Sequence, residues 1–125
     1  TSIPTSIKSK PKISSSYFEK LITLMEKDTI YRDSNLSRER VAEKLAISNS
    51  YLTQLIKENV NMSFTDFINS YRVKDVEKML LDPSFENFDI LSIGLEAGFN
   101  SKSAFYTIFK KFNKVTPSQF RLNKS

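Results

Sequence analysis

The chain has 125 residues, of which 39% are hydrophobic, and this is enough to bury the core of one small domain or of two closely joined subdomains. It contains no cysteine and no histidine, which excludes disulfides, cysteine nucleophiles, histidine bases and the usual zinc sites. The net charge of +5 is unevenly placed, because residues 97–125 carry six basic side chains and no acidic one. A basic segment of this kind is typical of a chain that binds a polyanion, and it can also serve only as a solubilising surface.

Residues 1–16 are rich in Ser, Thr, Lys and Pro and lack acidic and aromatic side chains, so we expect a flexible linker or tail. No apolar run is long enough for a transmembrane helix or a signal peptide. Because the chain also lacks an initiator methionine, we interpret it as part of a longer protein.

After the tail, apolar residues at helical spacing predict a helix from Tyr17 to about Lys27. Ser37 is suited to be the N-cap of a second helix, which ends in a turn over residues 46–48. A third helix is predicted over residues 49–58. A short helix, a tight turn and another helix form the helix-turn-helix pattern.

One long helix is predicted from Ser63 to about Leu81, where apolar residues recur at helical spacing without an internal Gly or Pro. Ser63 with Asp66 forms a capping pattern, and Asp82-Pro83 ends the helix. No strand pattern is present anywhere in the sequence.

A second helix-turn-helix pattern begins at Asp89, which is suited to cap a short helix. Gly98 can adopt the positive φ that ends this helix, and Ser101 caps a further helix over residues 101–113. The dipeptide Thr116-Pro117 then starts a last helix, with Thr as N-cap and Pro at the first helical position. The stripe of Phe105, Phe109, Phe112 and Phe120 is interpreted as core.

The two patterns correspond residue by residue, at an offset of about 52 to 53 residues, and are interpreted as a diverged tandem repeat. Asn61 and Lys114 correspond in this way, each after a helix end where a left-handed residue is expected. The predicted fold is all-α, with about seven helices in two helix-turn-helix subdomains joined by the long central helix. The predicted parts are a tail at 1–16, a first subdomain at 17–62, a linking helix at 63–82 and a second subdomain at 83–125.

The second pattern resembles the signature segment of AraC/XylS-type transcriptional regulators. The matching residues are Ile93, Ala97-Gly98-Phe99, Ser101, Ser103, Phe105, Phe109-Lys110-Lys111, Thr116-Pro117 and Phe120-Arg121. The chain departs from the family at three positions, where Gly94 stands for the usual Ala, Lys114 for Gly and Thr107 for the Arg of many members.

The resemblance implies a DNA-binding domain whose second helix in each unit enters the major groove. The family's base-contacting positions correspond to Ser50, Thr53, Gln54, Ser103 and Thr107. The whole set of candidate DNA-binding residues is Asn49, Ser50, Thr53, Gln54, Lys57, Ser101, Lys102, Ser103, Tyr106, Thr107, Lys110 and Lys111. Gln54 is suited to adenine and Lys102 to guanine, while Lys57, Lys110 and Lys111 are suited to phosphates.

Some of these residues also have a purely structural interpretation. Ser101 and Asn49 are suited to begin helices, and Tyr51 is expected to pack against the first helix. The carboxylates Asp82, Glu86, Asp89 and Glu96 are assigned to loops and caps rather than to a catalytic cluster.

We therefore expect sequence-specific binding of double-stranded DNA, with the two recognition helices in adjacent major grooves, no cofactor and no enzymatic activity. The alternatives are a helix-turn-helix that serves protein–protein interaction, which an exposed apolar patch on the recognition helices would favour, and RNA binding. The implied partners beyond DNA are RNA polymerase and an N-terminal sensor or dimerisation domain in the parent protein. The expected location is cytoplasmic without membrane contact by this part, although some similar bacterial proteins have a membrane-embedded sensor.

Overall fold

The computed structural model describes residues 12–123, so the prediction for residues 1–11 lies outside the described part. Over the described residues the chain forms seven α-helices and no strand, which confirms the all-α prediction. The helices are α1 (Lys12–Glu26), α2 (Arg38–Leu45), α3 (Asn49–Val60), α4 (Phe64–Leu81), α5 (Ile90–Glu96), α6 (Lys102–Asn113) and α7 (Pro117–Leu122). Two short 3-10 turns, Ile30–Arg32 and Pro83–Phe85, lie between them. Among residues 12–123, no helix is both long and apolar enough to cross a membrane.

The first helix begins at Lys12 rather than at Tyr17, so the prediction of a flexible tail was wrong for residues 12–16. The helix is held to its unit by Leu21 and Met25, which are fully buried. Once such a helix is nucleated, each added residue gains a backbone hydrogen bond at little cost. The Ser residues that suggested a tail are only moderately unfavourable in a helix, so they do not end it.

The described residues divide into two compact units, the first formed by residues 12–29 and 37–64 and the second by residues 30–36 and 65–123. In the first unit α1, α2 and α3 enclose a small apolar core. Its buried members are Leu21, Met25, Val41, Ala42, Leu45, Leu52, Leu55 and Ile56. On each helix they recur at helical spacing and so share one face.

The core of the second unit is built by α4, α5 and α6. Its buried residues are Val73, Val76, Met79, Leu80, Ile93, Ala97, Phe99, Phe105 and Phe109. Phe112 and Phe120 pack against this cluster, so the aromatic stripe of the last two helices is core, as predicted. Aromatic rings in edge-to-face contact add to the burial, as between Phe109 and Phe120, whose ring centroids are 5.5 Å apart.

The segment at residues 30–36 belongs to the second unit, whereas the sequence places it in the first subdomain. Tyr31 is buried and its ring stacks on that of Tyr71, with the centroids 5.8 Å apart. Stacking of two large rings makes this contact favourable. The sequence does not reveal it, because the two tyrosines are separated by most of the first helix-turn-helix.

Two arginines fix the same segment to the second unit. Arg72 on α4 donates from Nε to the Tyr31 carbonyl at 2.7 Å and from Nη2 to the Asp33 carbonyl at 3.0 Å. Arg32 donates to both carboxylate oxygens of Asp75, at 2.7 and 3.0 Å. Burial lowers the pKa of Arg72, while the hydrogen bonds with Asp75 raise the pKa of Arg32. The bidentate pair satisfies a carboxylate that would be costly to bury alone.

Candidate nucleic-acid interface

The same hydrogen-bonded turn joins the two helices of both helix-turn-helix motifs. In the first motif the Ile47 N–H donates to the Ala42 carbonyl at 3.0 Å, and in the second the Phe99 N–H donates to the Gly94 carbonyl at 3.1 Å. Both donor and acceptor are 52 residues apart between the copies. The predicted tandem repeat is therefore present in the backbone as well as in the sequence.

Each turn contains one residue with positive φ, Ala46 at 58° and Gly98 at 113°. The positive φ predicted for Gly98 is confirmed. A Cβ atom at Gly98 would lie 2.2 Å from the Tyr31 carbonyl oxygen, so the close approach of segment 30–36 excludes any larger residue there. Ala46 adopts the left-handed conformation at the cost in free energy that is usual for a residue with a Cβ atom.

Packing also explains why position 94 is a glycine. A Cβ atom there would lie 2.4 Å from the ring of Phe105, which is fully buried. The corresponding residues of the first motif are Ala42 and Leu52, a larger residue opposite a smaller one. The departure from the family's usual Ala is thus matched to the aromatic ring across from it.

The recognition helices α3 and α6 end in the same way. Asn61 has φ 56° and Lys114 has φ 66°, so both adopt the predicted left-handed conformation. Their N–H groups donate to the carbonyls of Lys57 and Lys110, at 2.9 and 2.7 Å. The left-handed residue satisfies a carbonyl that the helix end would otherwise leave unpaired.

Serine caps the start of each recognition helix. The Ser48 hydroxyl accepts from the Tyr51 N–H at 3.0 Å, and the Ser101 hydroxyl accepts from the Ala104 N–H at 3.1 Å. Ser101 is therefore a cap, as the sequence indicates, whereas Asn49 is the first helical residue and Ser48 is the cap. Both serines are suited to this position because the hydroxyl satisfies an orphan N–H.

The first recognition surface is the outer face of α3, formed by Asn49, Ser50, Thr53, Gln54 and Lys57. All are exposed except Asn49, which is half-buried. Two of them are engaged by neighbouring side chains outside the predicted set. Thr53 Oγ1 accepts from Arg38 Nη1 at 3.0 Å, and Gln54 Nε2 donates to Glu58 Oε2 at 2.9 Å.

The second recognition surface is the start and outer face of α6, formed by Ser101, Lys102, Ser103, Tyr106, Thr107, Lys110 and Lys111. All are exposed except Tyr106, which is half-buried against Phe105 with the ring centroids 5.3 Å apart. The ammonium of Lys102 lies 5.7 Å from the centroid of the Tyr106 ring, a cation–π distance. Tyr106 thus contacts the buried Phe105 ring on one side and the exposed Lys102 ammonium on another.

Lys111 is directed toward α4, where its ammonium pairs with Asp66 Oδ1 at 3.1 Å. The pair is exposed, with 62% and 40% of the two side chains accessible, so it contributes little to stability. It does place a carboxylate next to one of the candidate phosphate contacts. Lys110 is exposed one residue earlier, and no ion pair of its ammonium is found among residues 12–123.

The recognition surfaces carry no broad apolar patch within the described residues. The exposed large hydrophobic side chains are Val60, Leu81, Phe88, Leu95 and Leu122, and only Val60, at the end of α3, belongs to a recognition helix. Tyr51 packs edge-to-face on Tyr17 of α1 with the centroids 5.8 Å apart, as predicted. The feature that would favour a protein-interaction surface is therefore not found here.

Sequence reasoning missed Arg38, Glu58 and Asp66 as neighbours of the candidate residues. Glu58 could have been found, because it lies four positions after Gln54 on one helix. Arg38 and Asp66 could not, since both reach the recognition helices from other helices, 15 and 45 residues away in sequence.

A family model described as a helix-turn-helix domain matches residues 41–123. An uncharacterised HTH-type transcriptional regulator of Staphylococcus aureus is 31% identical over 87 residues, which are 70% of this chain and 11% of that protein. The chain thus spans about a tenth of the length of this relative. Among solved structures, the C-terminal domain of the response regulator yesN from Fusobacterium nucleatum has a TM-score of 0.74 at 27% identity, covering 85% of this chain and 98% of that one.

An AraC-type DNA-binding regulator from Chromobacterium violaceum has the same fold, with a TM-score of 0.75 over 92% of this chain and 97% of that one, at 21% identity. The fold, the duplicated turn and the family match agree with one another. With two such motifs and their polar outer helices, the chain belongs to the AraC-type helix-turn-helix family of sequence-specific DNA-binding transcription regulators.

Proposed function

We propose that this chain reads one asymmetric duplex site by placing α3 and α6 in adjacent major grooves. The observation that supports the proposal is the duplicated turn, since each copy presents a helix whose exposed side is polar or basic. In a helix-turn-helix the second helix enters the groove and its N-terminal residues reach the base edges. Two equivalent helices in one chain can read two half-sites without a second protomer.

Base reading is assigned to Ser50, Thr53 and Gln54 on α3 and to Ser103 and Thr107 on α6. Gln54 offers an amide that can pair with both groove-facing groups of adenine, and hydroxyls can serve several bases. Glu58 holds the Gln54 amide from one side, which limits the orientations that the amide adopts before DNA arrives. Such preorganisation lowers the entropy cost of binding.

Phosphate contacts are assigned to Lys57, Lys102, Lys110 and Lys111, with Asn49, Ser101 and Tyr106 at the edges of the surfaces. Lys102 is also able to reach guanine from the first turn of α6. We rank Lys110 above Lys111, because Asp66 neutralises the latter and would itself repel a phosphate.

The spacing of the two half-sites is assigned to α4. It has 18 residues, which correspond to about 27 Å at 1.5 Å per residue. Adjacent major grooves on one side of DNA are about 34 Å apart. We expect the helix together with the elements at its ends to cover this distance, which corresponds to a site of roughly 20 base pairs.

We further propose that the parent protein acts in the cytoplasm, that it contacts RNA polymerase and that a separate N-terminal domain receives its signal. Binding rather than catalysis is the proposed activity, without a cofactor. A membrane-anchored parent is compatible with this proposal, because the part described here would still reach DNA.

Selection of bound sequences from a random duplex library tests the proposal. A two-part motif with a fixed spacing is the expected result, and its affinity should fall with salt at a log–log slope of several units, about −0.9 for each phosphate contact. A library that shows no enrichment, or a salt response that is flat, would contradict sequence-specific duplex binding. A motif of one part only would show that a single unit reads DNA.

A further inference from the structure

Arg38 occupies an unusual place for a cation. It is the first residue of α2, directly after the cap Ser37, whose hydroxyl accepts from the Arg40 N–H. The N-terminal end of a helix carries partial positive charge, so a cation there is locally unfavourable. Helix stability therefore gives no reason for an arginine at this position.

The side chain of Arg38 crosses to the first recognition surface. Its Nη1 donates to Thr53 Oγ1 at 3.0 Å, and both residues are exposed. Thr53 is one of the proposed base readers. The guanidinium thus lies at the margin of the surface that the proposed function presents to DNA, although Arg38 comes from the preceding helix.

The hydrogen-bond inventory of this pair is complementary to DNA. Arginine has five N–H donors, and the contact with Thr53 uses one of them. Because the Thr53 oxygen accepts from Arg38, the hydroxyl proton points elsewhere and can be donated to another acceptor. The remaining groups of the pair are therefore mostly donors, namely four guanidinium N–H groups and the hydroxyl proton, which suits the acceptor oxygens of the DNA backbone.

We propose that Arg38 is a phosphate-contacting residue of the first helix-turn-helix and that it positions the Thr53 hydroxyl to donate toward DNA. A phosphate rather than a base is assigned to it because the first helix of this motif crosses the backbone while the second enters the groove. This inference rests on the proposed function.

Duplex binding of the chain is measured over a range of salt concentrations, on the selected site and on a scrambled duplex. The variants are Arg38→Gln, Arg38→Lys, Thr53→Val and, as a charge-matched control, Arg40→Gln. Arg40 is exposed on the same helix but lies about 200° around the axis from Arg38, so it faces another direction. Thermal unfolding followed by circular dichroism checks that each variant is folded.

Arg38→Gln should lower the affinity for both duplexes about tenfold and reduce the magnitude of the salt slope by about 0.9. Arg40→Gln should change the slope much less. Arg38→Lys should keep most of the slope while losing part of the affinity, because the ammonium lacks the planar fork. Combining Arg38→Gln with Thr53→Val should weaken binding less than the product of the two single effects, because the pair acts together.

Equal effects of the Arg38 and Arg40 variants would overturn the inference, since only net charge would then matter. A loss confined to the selected site with an unchanged slope would also overturn it and would make Arg38 a base reader. If the unaltered chain fails to bind either duplex, the proposed function fails as well, so the two failures are distinguishable.

Discussion

On the outer face of α3, the neutral Gln54, which we propose as a base reader, is joined by a hydrogen bond to the acidic Glu58. The amide can read a base, but the carboxylate must be brought toward a polyanion together with it. The two residues therefore have opposite effects on binding, and this can be measured.

Gln54→Ala should cost about 1–3 kcal/mol on the preferred site and relax the preference at one base pair. Glu58→Gln, the matched control, should instead tighten binding to all duplexes at low salt, because it removes a repulsive charge while keeping an oxygen that can accept from the Gln54 amide. Competition assays with the preferred site and with random duplex measure both. Gln54 is not a base reader if its alanine variant lowers the affinity for random duplex as much as the affinity for the preferred site.

Gly94 and Phe105 form a size-matched pair in the second motif, where the first motif has Ala42 and Leu52. Gly94→Ala should destabilise the fold by about 1–3 kcal/mol, because the new methyl group overlaps the fully buried ring. The double variant Gly94→Ala with Phe105→Leu, which copies the first motif, should lose less stability than the two single variants added together. Chemical denaturation of the original chain, the two single variants and the double variant gives the four free energies of unfolding. If the effects of the single variants simply add up in the double variant, the two residues are not coupled.

At the scale of elements, capping determines where the helices begin. Asp89 Oδ1 accepts from the Ser92 N–H at 2.7 Å at the start of α5. This hydrogen bond lowers the pKa of Asp89 from its ordinary value of 3.8. Since α5 is only seven residues long, it has few internal hydrogen bonds of its own and depends on its cap.

Asp89→Ala should therefore lower the thermal unfolding midpoint at neutral pH. A carboxylate whose pKa is lower in the folded state stabilises the fold above its unfolded pKa, and the stabilisation is lost as the pH falls through the folded value. The difference between the alanine variant and the original chain should shrink below about pH 4, whereas Asp89→Asn, an uncharged cap, should show a weaker pH dependence. A difference in midpoint that stays constant from pH 7 to pH 3 would contradict this.

Elements were more predictable than contacts. The seven helices and both left-handed ends follow from periodicity and capping residues, which are local signals. The early start of α1 was missed because its serines suggested a tail, although serine is only moderately unfavourable in a helix. The candidate surfaces follow from the helix faces, but the partners of Thr53 and Lys111 come from distant helices and leave no local trace.

At the scale of the whole molecule, the proposed two-groove reading makes the separation of the half-sites a variable. Inserting about five base pairs between them turns one half-site by half a helical turn onto the opposite side of the DNA. Affinity should then fall toward that of a single unit. An insertion of about ten base pairs keeps both half-sites on the same side of the DNA but increases the distance between them. Gel-shift titrations on such sites measure this, and tight binding after the five-pair insertion would disprove a fixed spacing.

The placement of residues 30–36 determines how the chain can be dissected. These residues lie within the sequence of the first unit but pack in the second, where Tyr31 covers Tyr71 and Arg32 pairs with Asp75. A cut at the start of α4 would therefore yield a C-terminal fragment that lacks seven of its own residues. In that fragment the carboxylate of Asp75 would lose its guanidinium, and the Tyr71 ring would lose its stacked partner.

We expect a fragment of residues 63–125 to unfold at a markedly lower temperature than the same unit in the full chain. A synthetic peptide of residues 28–38 should restore part of the loss, and a version with Arg32→Ala should restore less, because the buried Asp75 carboxylate would stay without its guanidinium. Calorimetry of the fragment with each peptide measures this. The two helix-turn-helix units share the same motif, yet the chain cannot be cut between them without loss, since the sequence of the first unit includes residues 30–36, which pack in the second.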